Sequence, residues 1–164
     1  MAKSTQAIPK GYHTVTPSLM VAGAARAIDF YKKALGAEEL SRFPGPDGKI
    51  MHAEIKIGDS VIMLGDEMPD HGGKGPKSLG GTPVGFFVYR DNVDAAWKQA
   101  IQAGGKEVMP LVDQFWGDRA GCFEDPFGPQ SHSPAIAAAF IWHENDSHVH
   151  RGTILLAESN ARGQ

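Results

Sequence analysis

The sequence is almost without cysteine: Cys122 stands alone, which excludes an internal disulfide framework and a zinc site built from several thiolates. Long hydrophobic runs are missing too, so no stretch reads as a membrane-spanning helix. The opening MAKSTQAIPKGYHTVTP lacks the apolar core of a secretory leader. Basic charge is scarce, with 16 Lys and Arg against 19 Asp and Glu, a net charge of −3. That balance offers no field to hold a phosphate backbone, so neither nucleic acid nor a membrane is expected as a partner. These absences leave a protein expected in the cytoplasm. Its 164 residues and 41% hydrophobic content suffice for one domain or two small, intimately packed modules.

What is present is a pattern that occurs twice. Ala24, Ile28, Tyr31 and Leu35 recur at helical spacing, and Gly36 stands where a glycine would end the helix. Val93, Ala96, Trp97, Ala100 and Ile101 form a second apolar stripe, with Asp91 or Asn92 as N-cap and Gly104–Gly105 closing it. Each helix is wet on one side, so each is expected to lie on a sheet, with Ile28, Tyr31, Val93 and Trp97 buried. TVTPSLMV and TPVGFFVY read as strands before the two helices. EELSRFP, IMHAEIKIG and SVIMLGD follow the first; KEVMPLV and RAGCFEDP follow the second. The order strand–helix–strand–strand–strand therefore repeats at an offset of roughly 66 residues, the mark of an internal duplication. Residues 66–81, rich in glycine and proline, read as a mobile linker without structure of their own.

GAARAIDFYKKALGAEEL, MHAEIKIGDSVIMLGDE and QFWGDRAGCFEDPFG, in that order and spacing, resemble the vicinal-oxygen-chelate superfamily of glyoxalases, bleomycin-resistance proteins and extradiol dioxygenases. Within it they are most similar to the PhnB-like branch. The resemblance implies an α+β fold of paired βαβββ modules forming a cupped mixed sheet, usually completed in a homodimer. It divides the chain into an N-terminal module (1–65), the linker (66–81), a C-terminal module (82–128) and a divergent tail (129–164).

Metal-dependent members of that superfamily carry His, Glu or Gln ligands on the first and last strands of each module. Alignment through the motifs puts the first three positions at Thr16, Met63 and Gly85, which are poor donors for zinc, nickel or iron. Counting past Gly128 puts the fourth on His132, and one histidine makes no site. The expectation is no cofactor, with a divalent metal as the alternative.

Side chains alternate along a strand, so Thr14, Thr16 and Ser18 share the cavity face while Pro17, Leu19 and Val21 face the helix. In MHAEIKIG the helix-facing row is Met51, Ala53, Ile55 and Ile57, which leaves His52, Glu54 and Lys56 opposite. That polar row is either a solvated face or, for His52 and Glu54, a set of ligand contacts and candidate catalytic acid–base groups. The second module adds Phe87 and Tyr89 by the same parity and Trp116 from the loop before its last assigned strand. Arg119 is open to two readings, an anionic substrate group or a salt bridge with Asp118 or Glu124. Met63 completes the candidate ligand-binding set.

DPFG should run into one more strand, containing His and Trp, that closes the second module. PQSHSPAIAAAFIWHENDSH follows instead, and its prolines are poor material for an interior strand. The last strand is therefore expected to be altered or missing, as after a lost reading frame, with AIAAAFIW and TILLA as the runs able to replace it. His132, His143, His148 and His150 share no face of an assigned element and read as surface residues. The functional expectation is a protein that binds a small organic molecule without a catalytic metal. The alternative is a metal-dependent lyase, isomerase or dioxygenase of the same superfamily, or acid–base chemistry by His52 and Glu54.

Overall fold

A computed structural model describes residues 7–115 and 117–128, and the strand 139–143 by its backbone. The first module contains β1 (Ser18–Val21), α1 (Ala24–Leu35), β2 (Glu38–Pro44), β3 (Ile50–Ile57) and β4 (Ser60–Asp66). Its strands lie in the order β1-β4-β3-β2, with β1 parallel to β4 and the other pairs antiparallel. Residues between the modules form a 3-10 turn (Pro69–His71) and the one-turn helix α2 (Pro76–Leu79). The second module contains β5 (Phe86–Tyr89), α3 (Val93–Gln102), β6 (Lys106–Asp113), β7 (Arg119–Glu124) and β8 (Ala139–His143). Its order, β5-β8-β7-β6 with β5 parallel to β8, reproduces the first. The duplication seen in the sequence is thus a duplication of topology.

The closing strand is present. AFIWH, the end of the apolar run AIAAAFIW with the histidine that follows it, pairs with both β5 and β7. Without it those two strands would face each other across a row of unpaired backbone groups, so an extended apolar segment satisfies both edges at once. The linker also differs from expectation. Residue 66 ends β4, Met68 and Gly73 form a β-bridge, and the Gly75 N–H donates to Glu67 Oε1 at 2.6 Å. Local hydrogen bonds compensate for what glycine and proline withhold from regular elements.

Both helices start as their sequences require, by different means. Asn92 caps α3, its Oδ1 accepting from Ala95 N at 3.0 Å. Helix α1 begins at Gly23, which has no side chain to cap with, so Asp66 reaches across from β4. Its Oδ1 accepts from Gly23 N and Ala24 N at 2.8 and 2.9 Å, and its Oδ2 from Ile50 N at 2.8 Å. A carboxylate at a helix N-terminus meets both the orphan donors and the positive end of the dipole.

Helix α1 lies on Leu19, Val21, Ala53, Ile55 and Leu64, all buried with its own Ile28 and Tyr31. In β3, Ile50 rather than Met51 joins the buried row, and Met51 is exposed. The register shift between Phe43 and Pro44 on the neighbouring strand breaks strict alternation there. Val93 is buried as its spacing demands, whereas Trp97 is only partly so. Its ring meets Phe123 edge-on at 6.1 Å and lies over Gly121, where a Cβ would come within 2.8 Å of the indole. Strand backbone fills the space beneath the ring and holds it near the surface.

The modules interlock through α1. Arg90 donates to Leu35 O and Gln99 to Lys33 O, each at 2.7 Å. The DPFG turn inserts Phe127 against Phe30 and Tyr31, with ring centroids 6.0 and 6.3 Å apart. Beside it the Tyr31 hydroxyl donates to Asp125 Oδ2 at 2.7 Å, and Phe127 N donates to Asp125 Oδ1 at 2.8 Å. Burial raises the Asp125 carboxyl to about 6, against the pull of those two donors, and raises Tyr31 well above its ordinary value.

Candidate functional site

Glu54 organises the polar face of the first module. It projects from β3 on the side opposite Ala53 and Ile55, so the helix-facing core fixes its direction. The Tyr12 hydroxyl, from the segment preceding β1, donates to Glu54 Oε2 at 2.6 Å. His52 Nε2 lies 3.2 Å from Glu54 Oε1. The Tyr12 hydrogen bond is the largest influence on the Glu54 carboxyl and holds it below the ordinary range. Partial burial opposes that pull, and His52 adds to it. The same bond raises the Tyr12 phenol. Ser41 faces Glu54 across the β2–β3 pair and also lowers its carboxyl, although its buried Oγ lies outside good hydrogen-bond geometry and so supports the carboxylate less than Tyr12 or His52 does. Tyr12 and His52 are thus the closest donors to Glu54, with Ser41 behind them. Phe43 lies beside the His52 ring at 6.1 Å.

Thr16, Met63 and Glu54 come together. They line a cleft of about 360 Å³ with Tyr12, Thr14 and the apolar segment around Ile8. Phe87 and Tyr89 line a neighbouring cavity of about 380 Å³ that penetrates between the modules to Leu35, Ile55 and Val88. His13 borders both, so the polar and aromatic surfaces adjoin there. Three expected residues lie elsewhere or outside the described residues. Ser18 borders a separate cleft with Lys74 and Pro76. Trp116 lies outside the described residues, as do His132 and the other tail histidines' side chains. Arg119 is held by Asp94 on α3, with contacts of 2.8 to 3.2 Å, and by Asp113 at 3.0 Å. Neither Asp118 nor Glu124 is its partner. These two carboxylates raise the guanidinium pKa and occupy its fork, which leaves it fastening α3 to the β6–β7 hairpin.

Tyr12 escapes a reading of the sequence, and so does the place of His13 at the meeting of the two cavities. Both precede β1 in a segment without periodicity, and Tyr12 finds its partner 42 residues away.

Donor chemistry decides whether a metal fits. The resemblance sets the superfamily's ligand positions at Thr16, Met63 and Gly85; Thr16 and Met63 line one cleft, and Gly85 directly precedes β5. A hydroxyl, a thioether and a glycine do not fit zinc, nickel or iron. Among the described residues, no three His, Cys, Asp or Glu side chains gather as a metal site would require.

Fold, duplication and site position together define the class. The chain belongs to the Glyoxalase/Bleomycin resistance protein/Dioxygenase superfamily, whose family model matches residues 12–130. An uncharacterized protein of Mycobacterium tuberculosis is 50% identical over 117 residues, 70% of this chain and 69% of that protein. Among solved structures, protein PA1353 from Pseudomonas aeruginosa aligns with a TM-score of 0.61 and 26% identity, covering 82% of this chain and 99% of that one. A PhnB protein from Bacillus cereus, described as a putative 3-demethylubiquinone-9 3-methyltransferase, aligns with a TM-score of 0.56 and 18% identity. It covers 76% of this chain and all of that one, a likeness of fold alone. No helix among the described residues is long and apolar enough to cross a membrane.

Proposed function

We propose that this chain is a small-molecule-binding protein that works without a catalytic metal, with its site in the cleft at Glu54. The observation that carries the reading is a carboxylate fixed by Tyr12 and His52 beside Thr16 and Met63, two of the positions to which the resemblance would assign metal ligands. The cleft has the size and mixed lining of a small-ligand pocket, and His13 joins it to the aromatic surface of Phe87 and Tyr89. A molecule with an apolar body and a polar head suits that junction. A homodimer belongs to this reading. Phe43, Met51, Val108 and Met109 are exposed hydrophobic side chains that a second copy would cover.

Two measurements on the purified full chain test the proposal. Metal analysis should find no stoichiometric zinc, nickel or iron, and a small-molecule fragment screen by NMR should shift the amides of Thr14, Thr16 and Met63. Stoichiometric, chelator-sensitive metal, or fragments that leave those amides unmoved, would overturn it. A second reading, acid–base catalysis, draws on the His52–Glu54 contact, because the His52 side chain is 41% exposed and reachable by a substrate. Turnover that disappears in His52→Gln while ligand affinity persists would favour that reading over simple binding.

A further inference from the structure

The cleft has a charge character that narrows its ligand. Among the described residues lining it, Glu54 is the one carboxylate and His13 the one imidazole, and no lysine or arginine is present. Ala7, Ile8, Pro9 and Met63 provide apolar wall; Tyr12, Thr14 and Thr16 provide hydroxyls. Lys56 shares the face of β3 with Glu54 but does not border the cleft. Each Glu54 oxygen already has one donor, Tyr12 on Oε2 and His52 on Oε1. Ser41 acts on the same carboxyl from β2; a carboxylate accepts at about four lone-pair positions, so acceptor capacity remains.

We propose that the cleft takes ligands with a protonated amine or amidine head on a compact apolar body, the head resting against the Glu54 carboxylate. The inference rests on the small-molecule-binding reading above. An ammonium or amidinium brings donors and opposite charge to a partly desolvated carboxylate, where charge-assisted hydrogen bonds are stronger than neutral ones. A carboxylate or phosphate head would bring like charge into a space whose described lining holds no lysine or arginine to offset it. The apolar wall then takes a single ring or short chain, as the cleft's size of about 360 Å³ allows.

The test uses three probes of similar size and different charge: benzylamine, benzyl alcohol and phenylacetate. Each is titrated into the full chain, with the amides of Thr14, Thr16 and Met63 followed by NMR. Benzylamine should bind about tenfold more tightly than phenylacetate, a preference of the size one partly screened charge contact provides. Glu54→Gln keeps an acceptor for Tyr12 and removes the charge, so it should abolish the preference. Thr16→Lys sets a cation beside the Glu54 carboxylate at a partly exposed position, cancels the cleft's charge and should also remove the preference, which keeps the proposal testable if Glu54→Gln fails to fold. Phenylacetate binding as tightly as benzylamine at the same amides would overturn the ligand class and leave the binding reading standing. So would an unchanged preference in either folded variant. Failure of all three probes to shift those amides would overturn the cleft as the binding site, and the ligand class with it.

Discussion

Replacing Asp125 by asparagine should remove a pH dependence that this buried carboxyl imposes on folding. Asp125 is 3% exposed, accepts from Tyr31 and the Phe127 amide, and has its carboxyl raised from 3.8 to about 6, chiefly by burial. In the unfolded chain the group ionises near 3.8, so between that value and about 6 the folded state holds the additional proton. Stability from this group is therefore fully present below pH 3.8 and is lost as pH rises through about 6. At about 1.4 kcal/mol per pH unit, the displacement corresponds to a loss of roughly 3 kcal/mol by neutral pH. The asparagine side chain would occupy nearly the same volume, still accept from Phe127 N, and donate to the Tyr31 hydroxyl instead of accepting from it. Urea unfolding of both proteins from pH 4 to 7.5 reads the effect as a difference. Carboxyls with lowered values, such as Glu39, Glu54 and Asp94, contribute the opposite slope at acid pH and cancel in that comparison. The variant should gain about 2.5 kcal/mol on the parent over the interval, since a little of the loss precedes pH 4. A gap that moves by less than about 1 kcal/mol would mean that Asp125 is solvated or relocated at neutral pH, and the interlock argument would fall.

Three further outcomes follow from the geometry. Asp66→Ala strips the acceptor from Gly23 N, Ala24 N and Ile50 N and should cost about 3 kcal/mol in urea unfolding; a loss below about 1 kcal/mol would show that water caps α1 adequately. Gly121→Ala puts a Cβ 2.8 Å from the Trp97 ring and 2.9 Å from Leu111 Cα, so a loss of about 1–3 kcal/mol is expected. An unchanged midpoint would show that α3 can lift off the sheet freely. Tyr12→Phe removes the strongest donor to Glu54, and side-chain carbon NMR should show the Glu54 carboxyl titrating at higher pH than in the parent. No upward movement would place Tyr12 elsewhere in solution.

Much of the fold is legible in the sequence because it rests on periodicity and end signals. The apolar stripe of α1, its terminal Gly36, the Asn92 cap and the alternation of Ala53, Ile55 and Ile57 with Glu54 and Lys56 are all local patterns. What stays hidden depends on contacts distant in the chain. Nothing around Asp66 announces that it caps a helix 42 residues earlier, and nothing around Arg119 selects Asp94 over Glu124. Phe127 stands in its turn without any local sign that it is a plug. Its aromatic ring makes sense only once Phe30 and Tyr31 are seen against it. The prolines after DPFG argue against a closing strand, and the strand forms all the same. A proline disqualifies only the residues it would have to pair, and AFIWH begins beyond Pro134.

The site is half legible for a related reason. Strand parity puts Glu54 and His52 on one face but says nothing of what lies above that face. The Tyr12 segment decides it, because its hydroxyl fixes a carboxylate where a solvated charge is an equally good reading of the sequence. In a metal-dependent member, a cation at this position attracts the electron-rich atoms of a ligand. On the proposed reading the corresponding positions are Thr16, Met63 and Gly85, and the nearby charge is an anion whose carboxyl Tyr12 and its other neighbours hold below the ordinary range. The polarity of the proposed site is thus opposite to that of a metal centre on the same scaffold. A fold that presents one focus between two modules can keep its cleft while reversing what the cleft attracts, since the strands set the position and only a few side chains set the sign.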